Sequence, residues 1–95
     1  MLRAQDVAAA RRDGLGSYLV GRILHGQNEF ADAARALSRA AALGLPDELL
    51  AHENARLLCT AAYQSGDRAL AKQAALSLSA SAGFELEGQD WLERL

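Results

Sequence analysis

Ninety-five residues with 10 basic and 12 acidic side chains and a formal charge of −2 make one small domain, and that balance argues against a nucleic-acid binder, which carries a basic surface. The single cysteine excludes an internal disulfide and leaves the redox compartment open. No apolar run approaches the roughly 20 residues that span a bilayer, and the opening Met1-Leu2-Arg3-Ala4-Gln5-Asp6 lacks a signal peptide's hydrophobic core. Alanine and leucine dominate while aromatics make up 5%. Both are strong helix formers and strands favour β-branched residues, so the chain reads as all-α. A chain of this length buries only about 60–65% of its extended surface, so its core is modest.

A first helix is expected over 2–13, with Leu2, Val7 and Ala10 near one face and Gly14 as its stop. A second is expected over 15–27. There Leu15, Leu19 and Ile23 form one stripe and Val20 and Leu24 an adjacent one, a wide face to bury. Gly21 costs about 1 kcal/mol of helix propensity, and close approach of a neighbouring helix is the expected compensation. The third helix, over 29–43, has the clearest period: Phe30, Ala33, Ala34, Leu37, Ala40 and Ala41 share one face. Asn28 is expected as its N-cap, because an Asn side-chain oxygen accepts readily from a free N–H of the first turn. Gly44-Leu45 then stops that helix, and Pro46-Asp47-Glu48 suits the first turn of the next. A fourth helix is expected over 47–64, with Leu50, Leu57 and Ala61 on one stripe and Ala51, Ala55, Leu58 and Ala62 on another. A fifth is expected over 67–82 with Ala71, Ala74, Ala75, Leu78 and Ala82 inward, and Gly83-Phe84 repeats the Gly44-Leu45 stop. A sixth begins at 88, with Trp91, Leu92 and Leu95 apolar, and the chain ends inside it, as a truncated array would.

The turn Gln27-Asn28-Glu29 has a second copy at Ser65-Gly66-Asp67. Val20/Leu58, Leu24/Ala62, Asn28/Gly66 and Ala33/Ala71 share the same offset of 38 residues. A repeat of this period means stacked helical hairpins. The two units resemble tetratricopeptide repeats, and the likeness covers about three-quarters of the chain. It rests on Val20-Gly21 and, less well, Leu58-Cys59; on the turn and following alanine, Asn28 through Ala33 and Gly66 through Ala71; and on Phe30 and Ala40. The departures are Ser17 and Ala55 at the early tryptophan position, Leu24 and Ala62 at the tyrosine position, and Arg68 and Leu78 in the second unit. The spacing of 38 also exceeds the usual 34. The resemblance implies antiparallel hairpins stacked as a short right-handed solenoid of five or six helices. Repeat one would occupy 14–45 and repeat two 46–84, with a capping or truncated helix over 85–95.

It also implies an interaction scaffold without enzymatic activity, cofactor or metal, docking a peptide or protein segment in a concave groove lined by each unit's first helix. On that pattern Tyr18, Arg22, His25, Arg56, Thr60 and Tyr63 face the groove. Arg22 and Arg56 would suit an acidic peptide or a chain-end carboxylate, because a guanidinium offers a planar two-pronged fork. The Lys and Asn set that clamps C-terminal carboxylates in chaperone-adaptor members is absent. The rival reading is a spacer or self-association module, a homodimer joined through an array end at Phe84 and Trp91, since two repeats bury a short core and need caps. His52 and Cys59 lie two helical turns apart, roughly 10 Å of rise, too far to act as base and nucleophile. Cys59 takes the place of Gly21 and reads as a small buried hydrophobe, and scattered His and Cys residues do not make a zinc site. The Ala-, Leu- and Arg-rich style points to a bacterial segment of a larger protein, cytoplasmic by default.

Overall fold

The turns that punctuate the sequence also set the architecture. A computed structural model describes residues 13–95; the helix expected over 2–13 lies, except for Asp13, outside them. Five helices follow: α1 (Leu15–Gly26), α2 (Phe30–Leu43), α3 (Glu48–Ser65), α4 (Arg68–Ser79) and α5 (Glu85–Arg94). There is no strand among the described residues. Each helix packs on the next in chain order and α1 also touches α3, so the helices form a short stack with extents of 43 × 26 × 17 Å.

The two sharp turns are built alike. After α1, Asn28 takes a left-handed backbone with φ 62. Its N–H donates to the His25 carbonyl at 3.1 Å, and Glu29 N–H donates to the Leu24 carbonyl at 2.9 Å. After α3, Gly66 has φ 85, its N–H donates to the Tyr63 carbonyl, and Asp67 N–H donates to the Ala62 carbonyl at 2.9 Å. This paired closure satisfies the last carbonyls of a helix and needs positive φ at its pivot, which Gly and Asn tolerate best. Asn28 is therefore the C-terminal pivot of α1 rather than the N-cap of α2. The cap position is Glu29, whose side chain makes no cap bond. In the second unit Asp67 does cap, its carboxylate accepting from Leu70 N–H at 3.1 Å. Asp47 caps α3 in the same way, accepting from Leu49 N–H at 2.7 Å, and Pro46 precedes that cap instead of opening the helix.

The core is small-residue packing around a few leucines. Leu37, Leu78, Asn54 and Cys59 are the largest fully buried side chains, and Ala33, Ala40, Ala61, Ala71 and Ala75 surround them. The inward faces of α2 and α4 follow the sequence pattern, except that Ala41 is exposed and that α4 ends at Ser79, which leaves Ala82, expected inward at the end of the fifth helix, exposed beyond it. The wide apolar face expected of α1 forms only in part: Leu15 and Leu24 pack against the core. Leu19 is 39% and Ile23 53% exposed, while Gly16, Ser17, Tyr18 and Gly21 are buried. Gly21 supplies the reason. A Cβ there would stand 2.6 Å from Leu37 Cδ2, so Leu37 seats directly on the α1 backbone. The small-residue side of α1 is thereby turned to α2, and the Leu19–Ile23 stripe faces outward. The close approach expected at Gly21 is present. Two more contacts of this kind occur. Gly14 lies against the Ala40 backbone and donates its N–H to the Gly44 carbonyl at 2.6 Å. Gly88 of α5 lies against the Ser79 backbone at the end of α4.

Candidate functional site

The first helices of the hairpins, α1 and α3, are joined on one side of the stack by α5, and α3 lies between the other two. Arg56 sits on α3 and Glu87 near the start of α5, and their side chains meet at 2.7 Å, with Arg56 Nε donating to the Glu87 carboxylate. Glu53, one turn back along α3, stands 3.6 Å from the same guanidinium. The Glu87 hydrogen bond, with the Glu87 charge behind it, raises the Arg56 pKa further. Two turns along α3 from Arg56, the Tyr63 ring meets Trp91 edge-on, with centroids 5.8 Å apart. The Arg94 guanidinium stands 5.4 Å from the Trp91 ring centroid and is tied to Asp90 at 3.5 Å. Tyr63 remains 43% exposed, so the aromatic pair presents an open ledge beside a neutralised arginine.

The residues expected at this face have different fates. Arg56 and Tyr63 are brought together with α5. Arg22 is exposed and has no ion-pair partner among the described residues. Thr60 is half-buried, and its hydroxyl donates to the Arg56 carbonyl at 3.3 Å. His25 is half-buried, packs edge-on against Phe30 at 5.4 Å and has a buried Nε2 without a partner, so it serves its own hairpin. Tyr18 is 3% exposed and belongs to the core. Its expected place in the groove is corrected, because the turn of α1 that seats Leu37 on Gly21 carries Tyr18 inward with it. Of the two guanidinium groups, Arg56 is already matched by Glu87 and Glu53, and Arg22 is the one left unmatched. Glu87 and Arg94 were not anticipated. Their signal was the spacing Glu87, Trp91, Arg94, which puts all three on one side of a helix.

Phe84 and Trp91, expected at a sticky end, are both used internally. Phe84 packs on the His52 ring with centroids 4.2 Å apart, and Trp91 packs on Tyr63. Neither His52 nor Cys59 forms a reactive pair. Cys59 is fully buried, and burial, with a smaller contribution from the Glu87 charge, pushes its thiol up to about 11, so it is protonated at neutral pH. Among the described residues no group of three His, Cys, Asp or Glu side chains is placed to hold a metal ion, and no helix is long and apolar enough to cross a membrane. No family model, no curated protein and no solved structure matches the chain.

Proposed function

We propose that this domain is an interaction module, a degenerate tetratricopeptide-like pair stacked as a right-handed solenoid, that holds a segment of another protein across the α1–α3–α5 face. One observation supports the reading above the others. An exposed tyrosine is braced against a tryptophan from the next helix but one, on the same pair of helices as the Arg56–Glu87 ion pair. Aromatic side chains held rigid at a polar surface are what binding faces use, since they offer area at low cost in conformational entropy. The partner segment is then an apolar or aromatic anchor residue for the Tyr63–Trp91 ledge, with an acidic group within reach of Arg22. Repeats of this kind bind and do not catalyse, and no catalytic constellation is proposed.

The test is a peptide-display selection on the wild-type domain, followed by fluorescence polarisation of the enriched peptides against Tyr63→Ala and Arg22→Glu. Peptides sharing one apolar anchor should lose affinity at least about tenfold on Tyr63→Ala, the effect of losing one hot-spot contact of about 1.4 kcal/mol. Equal affinity for wild type and both variants would remove the groove reading. A second reading, self-association or spacing, is favoured by the Leu19–Ile23 stripe, which is exposed along α1. Sedimentation velocity of the wild type and of Ile23→Glu tests its self-association form: a dimer that dissociates on Ile23→Glu supports it, and a monomer at all concentrations rejects it.

A further inference from the structure

Asn54, Leu57 and Ala61 lie along one side of α3, at the spacing that stacks side chains on a helix. That side meets α2, the helix before it, since Asn54 Nδ2 donates to the Leu37 carbonyl at 2.9 Å. Asn54 and Ala61 are buried, and Leu57 is half-buried against the core. The repeat offset of 38 residues carries these three positions to Gly16, Leu19 and Ile23 of α1. There the two large side chains are open, Leu19 at 39% and Ile23 at 53% exposure. No described helix stands to α1 as α2 stands to α3.

Scattered surface leucines need no explanation. This pair differs because it occupies the positions by which the second unit seats on the helix before it. Ile23 also puts a large side chain where the second unit has Ala61. The element that covers it must therefore present small residues, as Gly21 does to Leu37.

We propose that this seat is filled by the chain's own preceding segment, residues 2–12, running back along α1. Ala4, Ala8, Ala9 and Ala10, with Leu2 and Val7, supply the small apolar residues that the seat requires. The reach is sufficient: as a helix residues 2–12 rise about 16 Å, and Ile23 stands about 12 Å along α1 from Leu15. The junction also suits a reversal. The Asp13 carboxylate accepts from Leu15 N–H at 3.1 Å, an Asx turn, and the Gly14 N–H is held by the Gly44 carbonyl. A segment tethered by so short a link has an effective concentration on the order of millimolar, which favours it over a second copy. With the seat filled, the stripe is closed to self-association.

Ile23 is the single isoleucine of the chain, so a ¹³C label on isoleucine δ1 methyl groups of the full chain reads this seat alone. Nuclear Overhauser cross-peaks are expected from that methyl to the methyl groups of Ala4, Val7 or Ala8. In a mixture of labelled and unlabelled chains they should stay within one chain. Ile23→Glu puts a charge into the seat and should raise amide hydrogen exchange across residues 4–10 at least about tenfold, while exchange in α3 and α4 holds. The cross-peaks in the wild type carry the test if that variant does not fold. The proposal is overturned if Ile23 shows cross-peaks to no residue of 2–12, or if exchange across 4–10 is unchanged in Ile23→Glu. It is overturned equally if the cross-peaks arise between chains, which would make a second copy the occupant. None of these results touches the Tyr63–Trp91 face, whose reading stands or falls on peptide binding.

Discussion

Gly88 is the residue on which the attachment of α5 most depends. A Cβ at this position would stand 2.5 Å from Ser79 Cα and 2.6 Å from Ser79 Cβ, where ordinary contact begins at 3.4 Å. The opposing atoms are mainly backbone at the end of α4, so no side chain can swing aside, and α5 must move outward by roughly 1 Å to admit a methyl group. Forcing extra atoms into packed structure costs about 1–3 kcal/mol. Against this, Gly→Ala inside a helix gains about 1 kcal/mol of propensity. Gly88→Ala should therefore destabilise by about 1 kcal/mol at the middle of that range and by about 2 kcal/mol at most, and at about 4–8 °C per kcal/mol for a domain of this size the melting temperature falls by several degrees.

The displaced element identifies the mechanism. The single tryptophan of the chain, Trp91, sits one turn beyond Gly88 and rests on Tyr63. If α5 loosens, Trp91 fluorescence reports it before helix content falls, and the fluorescence midpoint in urea drops below the circular dichroism midpoint. Gly26→Ala is the control, because nothing lies within 4 Å of a Cβ there; it should leave the melt unchanged or raise it slightly. An unchanged or raised melting temperature for Gly88→Ala would refute the reasoning, since propensity would then have outweighed the contact.

Gly66→Ala places a methyl group on a residue with φ 85, and the left-handed strain should cost about 1 kcal/mol in a urea melt. Asp67→Ala removes the carboxylate that accepts from Leu70 N–H and should cost about 1 kcal/mol, whereas Glu29→Ala at the equivalent position should cost little, because Glu29 makes no cap bond. Cys59 makes stability depend on alkaline pH. Its folded pKa of about 11 exceeds the ordinary 9.0, so the unfolded chain loses the proton first. Its contribution is complete below pH 9 and is lost as pH rises to about 11, a swing on the order of 2 kcal/mol. The stability of the wild type relative to Cys59→Ala should decline across that window, and a flat difference would contradict it.

The helices were legible because their ends are punctuated by residues with one dominant role. Gly66, Asp67, Gly44 and Asp47 each fix a boundary through backbone geometry or a cap, and the observed ends of α1 to α3 fall within a residue of those expected. The start of α5 was placed late, since Glu85-Leu86-Glu87 has no apolar period and is anchored instead by the Glu85 carboxylate, which accepts from Gly83 N–H at 3.0 Å. The buried face of α1 was misjudged for a different reason. Hydropathy favoured Leu19 and Ile23, but contact at Gly21 is set by the absence of a side chain, a quantity that hydropathy does not weigh. Asn28 was ambiguous because Asn suits both a cap and a left-handed pivot; the glycine at the matching place, Gly66, decides between them. Half of the candidate face, Arg56 and Tyr63, was readable from α3 alone. Their partners Glu87 and Trp91 lie across the stack, Glu87 at a separation of 31 residues from Arg56, and helical periodicity holds no information at that range.

The two hairpins nonetheless solve one packing problem with exchanged parts. Leu37 and Ala40 of α2 correspond, by the common offset, to Ala75 and Leu78 of α4, and all four are fully buried. The large side chain has moved one turn along the helix and the small one has taken its place. The opposite helix changes in step. Where Leu37 stands, its neighbour on α1 is Gly21; where Ala75 stands, the residue matching Gly21 is Cys59, also fully buried. The Leu and Ala of α2 and α4 hold the same combined volume although their order is reversed, and cores accept such exchanges when total volume and pattern are kept. Resemblance between repeats is carried by the order of large and small residues along each helix, while the hairpin needs only their sum. A chain that trades one for the other keeps its stack of helices while the sequences of its two hairpins draw apart.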